Sequence, residues 1–114
     1  KKVVIIDDEK DVVTYLAAML LDSGFEVHTA TNGKAGFDLV KKLKPDLVCL
    51  DILMPGETGV SLFRKIRSGA GLKNIPVIVI TGFSGSEHAI GKAVASLTKP
   101  FDREELLAIV KESI

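Results

Sequence analysis

Three runs of four apolar residues mark the chain, at residues 3–6, 47–50 and 77–80. A continuous apolar run of this length, bounded by turn residues, is typical of a strand that is buried on both faces of a sheet. Residues 25–29 alternate between apolar and polar positions, which predicts an edge strand, and a brief strand is predicted at residues 96–98. The pattern therefore predicts five strands.

The segments between these strands carry apolar residues at the spacing of amphipathic helices. Helices are predicted over 10–22, 33–43 and 59–68, helical periodicity is weak over 83–96, and a capping box at Asp102 starts a last helix. The predicted core stripes of the first two helices are Val13, Leu16, Ala17, Leu20 and Leu21, then Ala35, Phe37, Leu39, Val40 and Leu43.

Strands and helices alternate strictly along the 114 residues, as five strand-helix units. Such alternation predicts one α/β domain over residues 1–114, with a parallel, doubly wound sheet, helices on both faces and right-handed crossovers. The chain begins at Lys1 rather than at a methionine, which suggests a piece of a longer protein.

Charge and cysteine content exclude several classes of function. Fifteen Lys and Arg residues balance fifteen Asp and Glu residues, so no net field would draw the domain to nucleic acid or to an anionic membrane. No apolar stretch is long enough to span a bilayer. The single cysteine, Cys49, cannot form an internal disulfide, which agrees with a cytoplasmic location.

Polar residues follow the predicted strands where each strand ends: Asp7 and Asp8 after the first, Asp51 after the third, Thr81 after the fourth and Lys99 after the fifth. The carboxyl ends of parallel strands share one edge of a sheet, so these side chains are predicted to meet in one crevice. Carboxylates this close repel one another unless a cation joins them, and Mg²⁺ prefers such oxygen ligands. With a lysine and a hydroxyl nearby, the group predicts a site that accepts a phosphoryl group.

Four motifs follow one another along the chain: Ile5-Ile6-Asp7-Asp8-Glu9, Leu50-Asp51-Ile52-Leu53-Met54-Pro55-Gly56, Val79-Ile80-Thr81-Gly82 and Leu97-Thr98-Lys99-Pro100-Phe101. This set resembles the receiver domain of two-component response regulators, the CheY-like family, over essentially the whole chain. The resemblance implies a flavodoxin-like fold, with a five-stranded parallel sheet in the order 2-1-3-4-5 and five helices. It also implies a phosphorelay switch that is not a turnover enzyme.

The resemblance implies that Asp51 is phosphorylated to an aspartyl phosphate, with a sensor histidine kinase or a histidine phosphotransfer protein as the donor. Mg²⁺ would be held by Asp8, Asp51 and the backbone carbonyl of Leu53, while Asp7 would act through a metal-bound water. Lys99 would hold the phosphoryl group.

The resemblance also assigns residues to switching and docking. Thr81 would move toward the phosphoryl group and transmit the switch to an output partner or an attached effector domain, neither of which the sequence identifies. Val12 and Tyr15, together with Pro100, would help to dock the phosphodonor, although Val12 and Tyr15 also fit a simple role at the periphery of the core.

Two departures from the family pattern concern output. Three residues before Lys99, where relatives place a tyrosine or phenylalanine that moves with Thr81, this chain has Ser96. The segment between Thr81 and Lys99 is also about four residues shorter than in typical members, so helix four is predicted to be short or mobile.

Three other functions are compatible with parts of this pattern. A Mg²⁺-dependent aspartyl phosphohydrolase commonly has a second aspartate two residues after the nucleophile, where this chain has Leu53. A flavin-binding domain of the same strand order needs a hydroxyl- and glycine-rich turn after the first strand, where Asp7 and Asp8 would repel the flavin phosphate. A receiver-like interaction module that takes no phosphate is disfavoured because the full set of polar residues is present.

Overall fold

Five parallel strands form one sheet in the computed structural model, which describes residues 1–51, 59–81, 95–98 and 103–114. The strands are β1 (Lys2–Ile6), β2 (Glu26–Ala30), β3 (Leu47–Leu50), β4 (Val77–Thr81) and β5 (Ala95–Thr98). Their order in the sheet is β2-β1-β3-β4-β5, with β1 paired to both β2 and β3. The edge position predicted for the second strand is thereby confirmed.

Four helices lie in the described part of the chain: α1 (Lys10–Asp22), α2 (Gly33–Leu43), α3 (Gly59–Ser68) and α4 (Arg103–Ser113). Helices α2 and α3 cover one face of the sheet, where Val4 and Leu50 lie in their core. Helices α1 and α4 cover the other face, where Ile5 and Cys49 belong to the core that these two helices form with the sheet. This two-sided arrangement confirms the doubly wound parallel fold, whereas the helix predicted between β4 and β5 falls mainly on residues 83–94, outside the described residues.

The central strands are buried on both faces, as their continuous apolar runs predict. Every residue of the runs 3–6 and 47–50 is at most 1% exposed. Successive residues of a strand point to opposite faces, so each run supplies both layers of the core. Among the described helices, none is both long and apolar enough to cross a bilayer.

The predicted core stripes are wrong at two positions. Leu21 is 57% exposed, and Ala35 is also exposed. Successive helix residues are separated by about 100° of rotation, so a residue next to the buried one can already face solvent. Leu20, which was also predicted to be in the core, is fully buried, and Gly36 is buried where Ala35 was predicted to be.

Gly36 sets how closely α2 approaches the central strand. A Cβ at this position would lie 2.7 Å from Ile6 Cδ1, 2.8 Å from Cγ1 and 2.9 Å from Cγ2. Ile6 is fully buried and branched at Cβ, so it has little freedom to move away. Glycine therefore allows the helix to pack against the end of β1, one residue before Asp7.

We expect Gly36→Ala to lower the free energy of unfolding by about 1–2 kcal/mol, because overpacking outweighs the higher helix propensity of alanine. In an Ile6→Val background, which lacks the nearest clashing atom, this cost should fall by about 0.5 kcal/mol or more. Urea unfolding checks both values. Lys34→Ala on the exposed face of α2 is the control, and a stabilising effect of Gly36→Ala would contradict the packing.

The single thiol lies in the core and not at the surface. Cys49 is 1% exposed, and burial raises the pKa of its thiol to about 12. Desolvation disfavours the charged thiolate, so the folded protein keeps the neutral thiol. An unfolded chain would ionise it near the ordinary value of 9.0.

This difference in pKa predicts that stability falls as pH rises above about 9, since the unfolded state then loses a proton that the folded state keeps. Between pH 8 and pH 10, the free energy of unfolding of the wild type should fall by about 1.4 kcal/mol more than that of Cys49→Ala. Urea unfolding at the two pH values measures the difference. Parallel pH profiles for the two proteins would refute the assignment.

Candidate metal site at the carboxyl edge of the sheet

The pairing of β1 with β3 brings two aspartates together at the carboxyl edge of the sheet. Ile6 and Leu50 are partners in the register of the two strands, and the next residues are Asp7 and Asp51. The backbone N–H of Asp51 donates to the carbonyl of Ile6 at 2.9 Å. The backbone therefore fixes the relative position of two residues that lie 44 positions apart in sequence.

Four carboxylates meet at this edge. Asp7, Asp8, Glu9 and Asp51 each offer a carboxylate oxygen, and these oxygens lie within 4.8 Å of one another. Asp7 and Asp51 are almost fully buried, with exposures of 2% and 4%, while Asp8 is half-buried and Glu9 is exposed. The site thus runs from a buried floor to a solvent-accessible rim.

The start of α1 fixes the Asp7 side chain. Asp7 Oδ1 accepts a hydrogen bond from the backbone N–H of Glu9 at 2.9 Å, and the backbone N–H of Asp7 donates to the carbonyl of Ala30 at 3.1 Å. Glu9 is the N-cap residue of α1 but makes no side-chain capping bond of its own. A carboxylate at this place is also favoured by the positive end of the helix dipole. Local structure therefore holds Asp7 in one orientation.

Bringing these carboxylates together opposes folding unless positive charge joins them. Their oxygens lie no more than 4.8 Å apart, and ionised carboxylates at such distances repel one another. All four donors of the group are carboxylate oxygens, which suit a hard divalent cation such as Mg²⁺. The donor set therefore fits the ion expected from the sequence.

Thr81 lies at the same edge of the sheet. It is the last residue of β4, which pairs with β3 on the side away from β1, and it is the register partner of Thr98 in β5. Lys99 follows Thr98 in sequence. The other candidate on β5, Ser96, pairs with Val79.

Of the other residues predicted for the site, two lie on α1 and three lie outside the described residues. Val12 is half-buried and Tyr15 is 50% exposed, both on the first turns of α1 beyond the acidic group. Leu53, Lys99 and Pro100 lie outside the described residues, so their predicted roles stay predictions.

Glu9 is the functional candidate that the sequence reasoning missed as a ligand. It is named there only as the last residue of the first motif, whereas the structure places a Glu9 oxygen in the same group as those of the three aspartates. The available signal was its adjacency to Asp8, but the extended backbone of this N-cap residue, which the sequence does not reveal, decides where the side chain points.

Comparisons with known proteins agree with this geometry. A family model described as the response regulator receiver domain matches residues 3–111. The chain is 29% identical over 113 residues to Protein Rrf1 of Nitratidesulfovibrio vulgaris strain Hildenborough, an alignment that covers 99% of this chain and 82% of that protein.

Solved structures of response regulators are similar to this chain. The response regulator protein TrrA from Thermotoga maritima, in complex with Mg²⁺-BeF, has a TM-score of 0.92 and 30% identity, with 100% of this chain and 99% of that chain covered. The chemotaxis response regulator CheY4 of Vibrio cholerae has a TM-score of 0.91 and 27% identity, with 99% and 98% covered. Since the family model spans almost the entire sequence and the acidic group lies where the strand order brings β1 and β3 together, the chain belongs to the response regulator receiver domains of two-component systems, the CheY-like family.

Proposed function

We propose that the chain is a phosphoacceptor switch in which Asp51 receives a phosphoryl group from a phosphohistidine. The donor would be a sensor histidine kinase or a histidine phosphotransfer protein. The observation that carries the proposal is the place of Asp51: it is a carboxylate only 4% exposed, at the end of a central strand and within 4.8 Å of three other carboxylates. Burying an aspartate among like charges costs free energy, and such arrangements are typical of functional sites.

Asp8 and Asp51 would bind Mg²⁺ directly, together with the backbone carbonyl of Leu53, and Asp7 would act through a metal-bound water. The cation would neutralise charge on the oxygens of the transferring phosphoryl group. The relative TrrA was solved with Mg²⁺-BeF, which supports the same cation here. The hydrogen bond from the Glu9 N–H to Asp7 keeps that carboxylate aimed at the site.

In the transfer step, a carboxylate oxygen of Asp51 forms the new P–O bond while the P–N bond to the donor imidazole breaks. The leaving imidazole keeps the electron pair of that bond and takes a proton from solvent, so the charges balance. Burial of Asp51 limits the access of water, which would otherwise compete as a nucleophile. Lys99 would bind the phosphoryl oxygens through its positive charge.

The phosphoryl group would act on the rest of the domain through charge. The acyl phosphate carries about two negative charges at neutral pH where the free carboxylate carried one, and a hydroxyl at the adjacent strand end can bind to its oxygens. Thr81, at the end of β4, is the residue proposed to do so. Its movement would bias a two-state surface that an output partner or an attached effector domain reads.

Phosphorylation is tested by incubating the protein with acetyl phosphate and Mg²⁺ and separating the products on a phosphate-affinity gel. We expect one shifted band for the wild type and for Asp38→Asn, which removes an exposed aspartate on α2. Asp51→Asn should abolish the shift, because an amide cannot form the acyl phosphate. An unshifted wild type would favour an interaction module that takes no phosphate, and a shift that survives in Asp51→Asn would place the acceptor elsewhere.

Metal binding is tested by thermal unfolding with and without Mg²⁺. A concentration ten times the dissociation constant should stabilise the wild type by about 1.4 kcal/mol. Asp8→Asn should be more stable than the wild type without the ion, since one repelling charge is gone, and should gain less than half of the Mg²⁺ effect. Asp11→Asn, an exposed aspartate of α1, is the control and should respond as the wild type does. Equal Mg²⁺ effects in all three proteins would contradict the assigned ligands.

A further inference from the structure

We propose that the surface where α2 meets α3 docks an acidic segment of a partner protein. Four exposed lysines form this surface: Lys41, Lys44, Lys65 and Lys73, named here the lysine cluster. They come from α2, from its C-cap, from α3 and from the loop after α3. The surface lies away from the acidic site, and the proposed phosphorylation does not use it.

A neutral total charge conceals a strong separation of charge along the chain. Residues 33–75 carry eight lysines and arginines against four acidic residues, whereas the remaining residues carry seven against eleven. Helices α2 and α3, with the loops that follow them, belong to the positive part. A separation of this kind orients an approaching partner by charge even when the net charge is zero.

Contacts across the two helices bring Lys41 next to Lys65, and Lys44 next to the loop that carries Lys73. Lys41 Nζ and Lys65 Nζ lie 4.9 Å and 5.8 Å from the centroid of the Phe37 ring, so this ring links α2 to α3. Lys44 Nζ reaches the loop after α3, where it lies 3.5 Å from the position that a Cβ on Gly71 would occupy. Two residues further on is Lys73.

Arg67, near the end of α3, fixes the loop after α3 through hydrogen bonds to its backbone. Its guanidinium donates to the carbonyls of Lys73 at 3.1 Å and Ile75 at 2.7 Å, and it lies 4.8 Å from the centroid of the Phe63 ring. Arg67 is therefore committed to the fold, and it presents Lys73 without taking part in the surface itself. These bonds fix the backbone that carries Lys73, which lowers the cost of ordering the loop when a partner binds.

The helix dipole explains only half of the cluster. Lys41 and Lys65 stand in the last turns of their helices, where positive charge is favourable. Lys73 lies outside any helix. Lys44 has a left-handed backbone, with φ 45° and ψ 64°, at a C-cap position where glycine is the less strained residue. Strained backbone of this kind is often found at functional positions, which agrees with a use for the Lys44 side chain.

The occupied aromatic ring and the acidic neighbour of the cluster favour an acidic protein segment over nucleic acid or a membrane. Two ammonium groups already lie over the Phe37 ring, so the ring offers no open face on which a base could stack. The rim is acidic, because exposed Asp38 lies 3.8 Å from Lys41. A long polyanion or a flat anionic bilayer would extend onto that rim, whereas a short stretch of Asp and Glu can stay on the four lysines.

The experiment measures binding of a fluorescein-labelled peptide of eight alternating Asp and Glu residues to the unphosphorylated protein, by anisotropy in 50 mM NaCl. We expect saturable binding that weakens as salt rises. Lys41→Gln with Lys65→Gln should raise the dissociation constant about tenfold. The matched control, Lys10→Gln with Lys111→Gln, removes two exposed lysines elsewhere and should change it less than about twofold.

A second variant separates binding from folding. Lys44→Gly should raise the midpoint of thermal unfolding by about 3 °C, because glycine tolerates the left-handed backbone, and should still weaken peptide binding. A purely structural lysine would show the first effect without the second.

Three results would overturn the proposal. The first is an equal rise of the peptide's dissociation constant in the two double variants. The second is absence of saturable peptide binding by the wild type. The third is tighter binding of an octathymidylate or of phosphatidylserine vesicles through the same lysines. Because the protein carries no phosphoryl group in this assay, none of these results bears on whether Asp51 is the acceptor.

Discussion

The parallel pairing of β1 with β3 is the constraint on which the site depends. It places Asp7 and Asp51 side by side, through the Asp51 N–H bond to the Ile6 carbonyl, and it does so against the repulsion between their charges. The apolar residues of the two strands, each at most 1% exposed, supply the favourable free energy that opposes this repulsion. The core therefore holds the carboxylates close together, and a divalent cation bound between them would offset their repulsion. Gly36 belongs to the same arrangement, because α2 can close over Ile6 only where the helix has no side chain.

The fold and the identity of the buried acids could be predicted from the sequence because both depend on simple periodicity. A continuous apolar run places a strand in the middle of a sheet, and the residue after it must then lie at the carboxyl edge. The bounds of α1 and α3, residues 10–22 and 59–68, follow from helical spacing in the same way. Strand β5 begins at Ala95, one residue before its predicted start, since a short strand offers few residues from which to locate its end.

The wrong core predictions fall where two neighbouring helix residues are both apolar or small, so that the sequence does not show which of them is buried. Leu21 is as apolar as Leu20, and only the rotation of α1 against the sheet decides which of them is buried. Glycine carries no hydropathy signal, so Gly36 could not be identified as the residue that faces Ile6. The lysine cluster was missed for a related reason: composition reports the total charge, while the lateral contact of α2 with α3 decides which charges are neighbours.

The separation between the acidic site and the lysine cluster limits how one could influence the other. Strand β3 lies between Lys44 and Asp51, and at about 3.3 Å per residue its four residues span about 13 Å. This length exceeds the Debye length of about 8 Å at physiological ionic strength, which weakens the direct effect of charge at Asp51 on the exposed lysines. Packing offers a second route of coupling between phosphorylation and docking at α2 and α3. The contact of Gly36 with Ile6 is where α2 meets the strand that leads into Asp7, and a shift of that strand end would move the helix that carries Lys41.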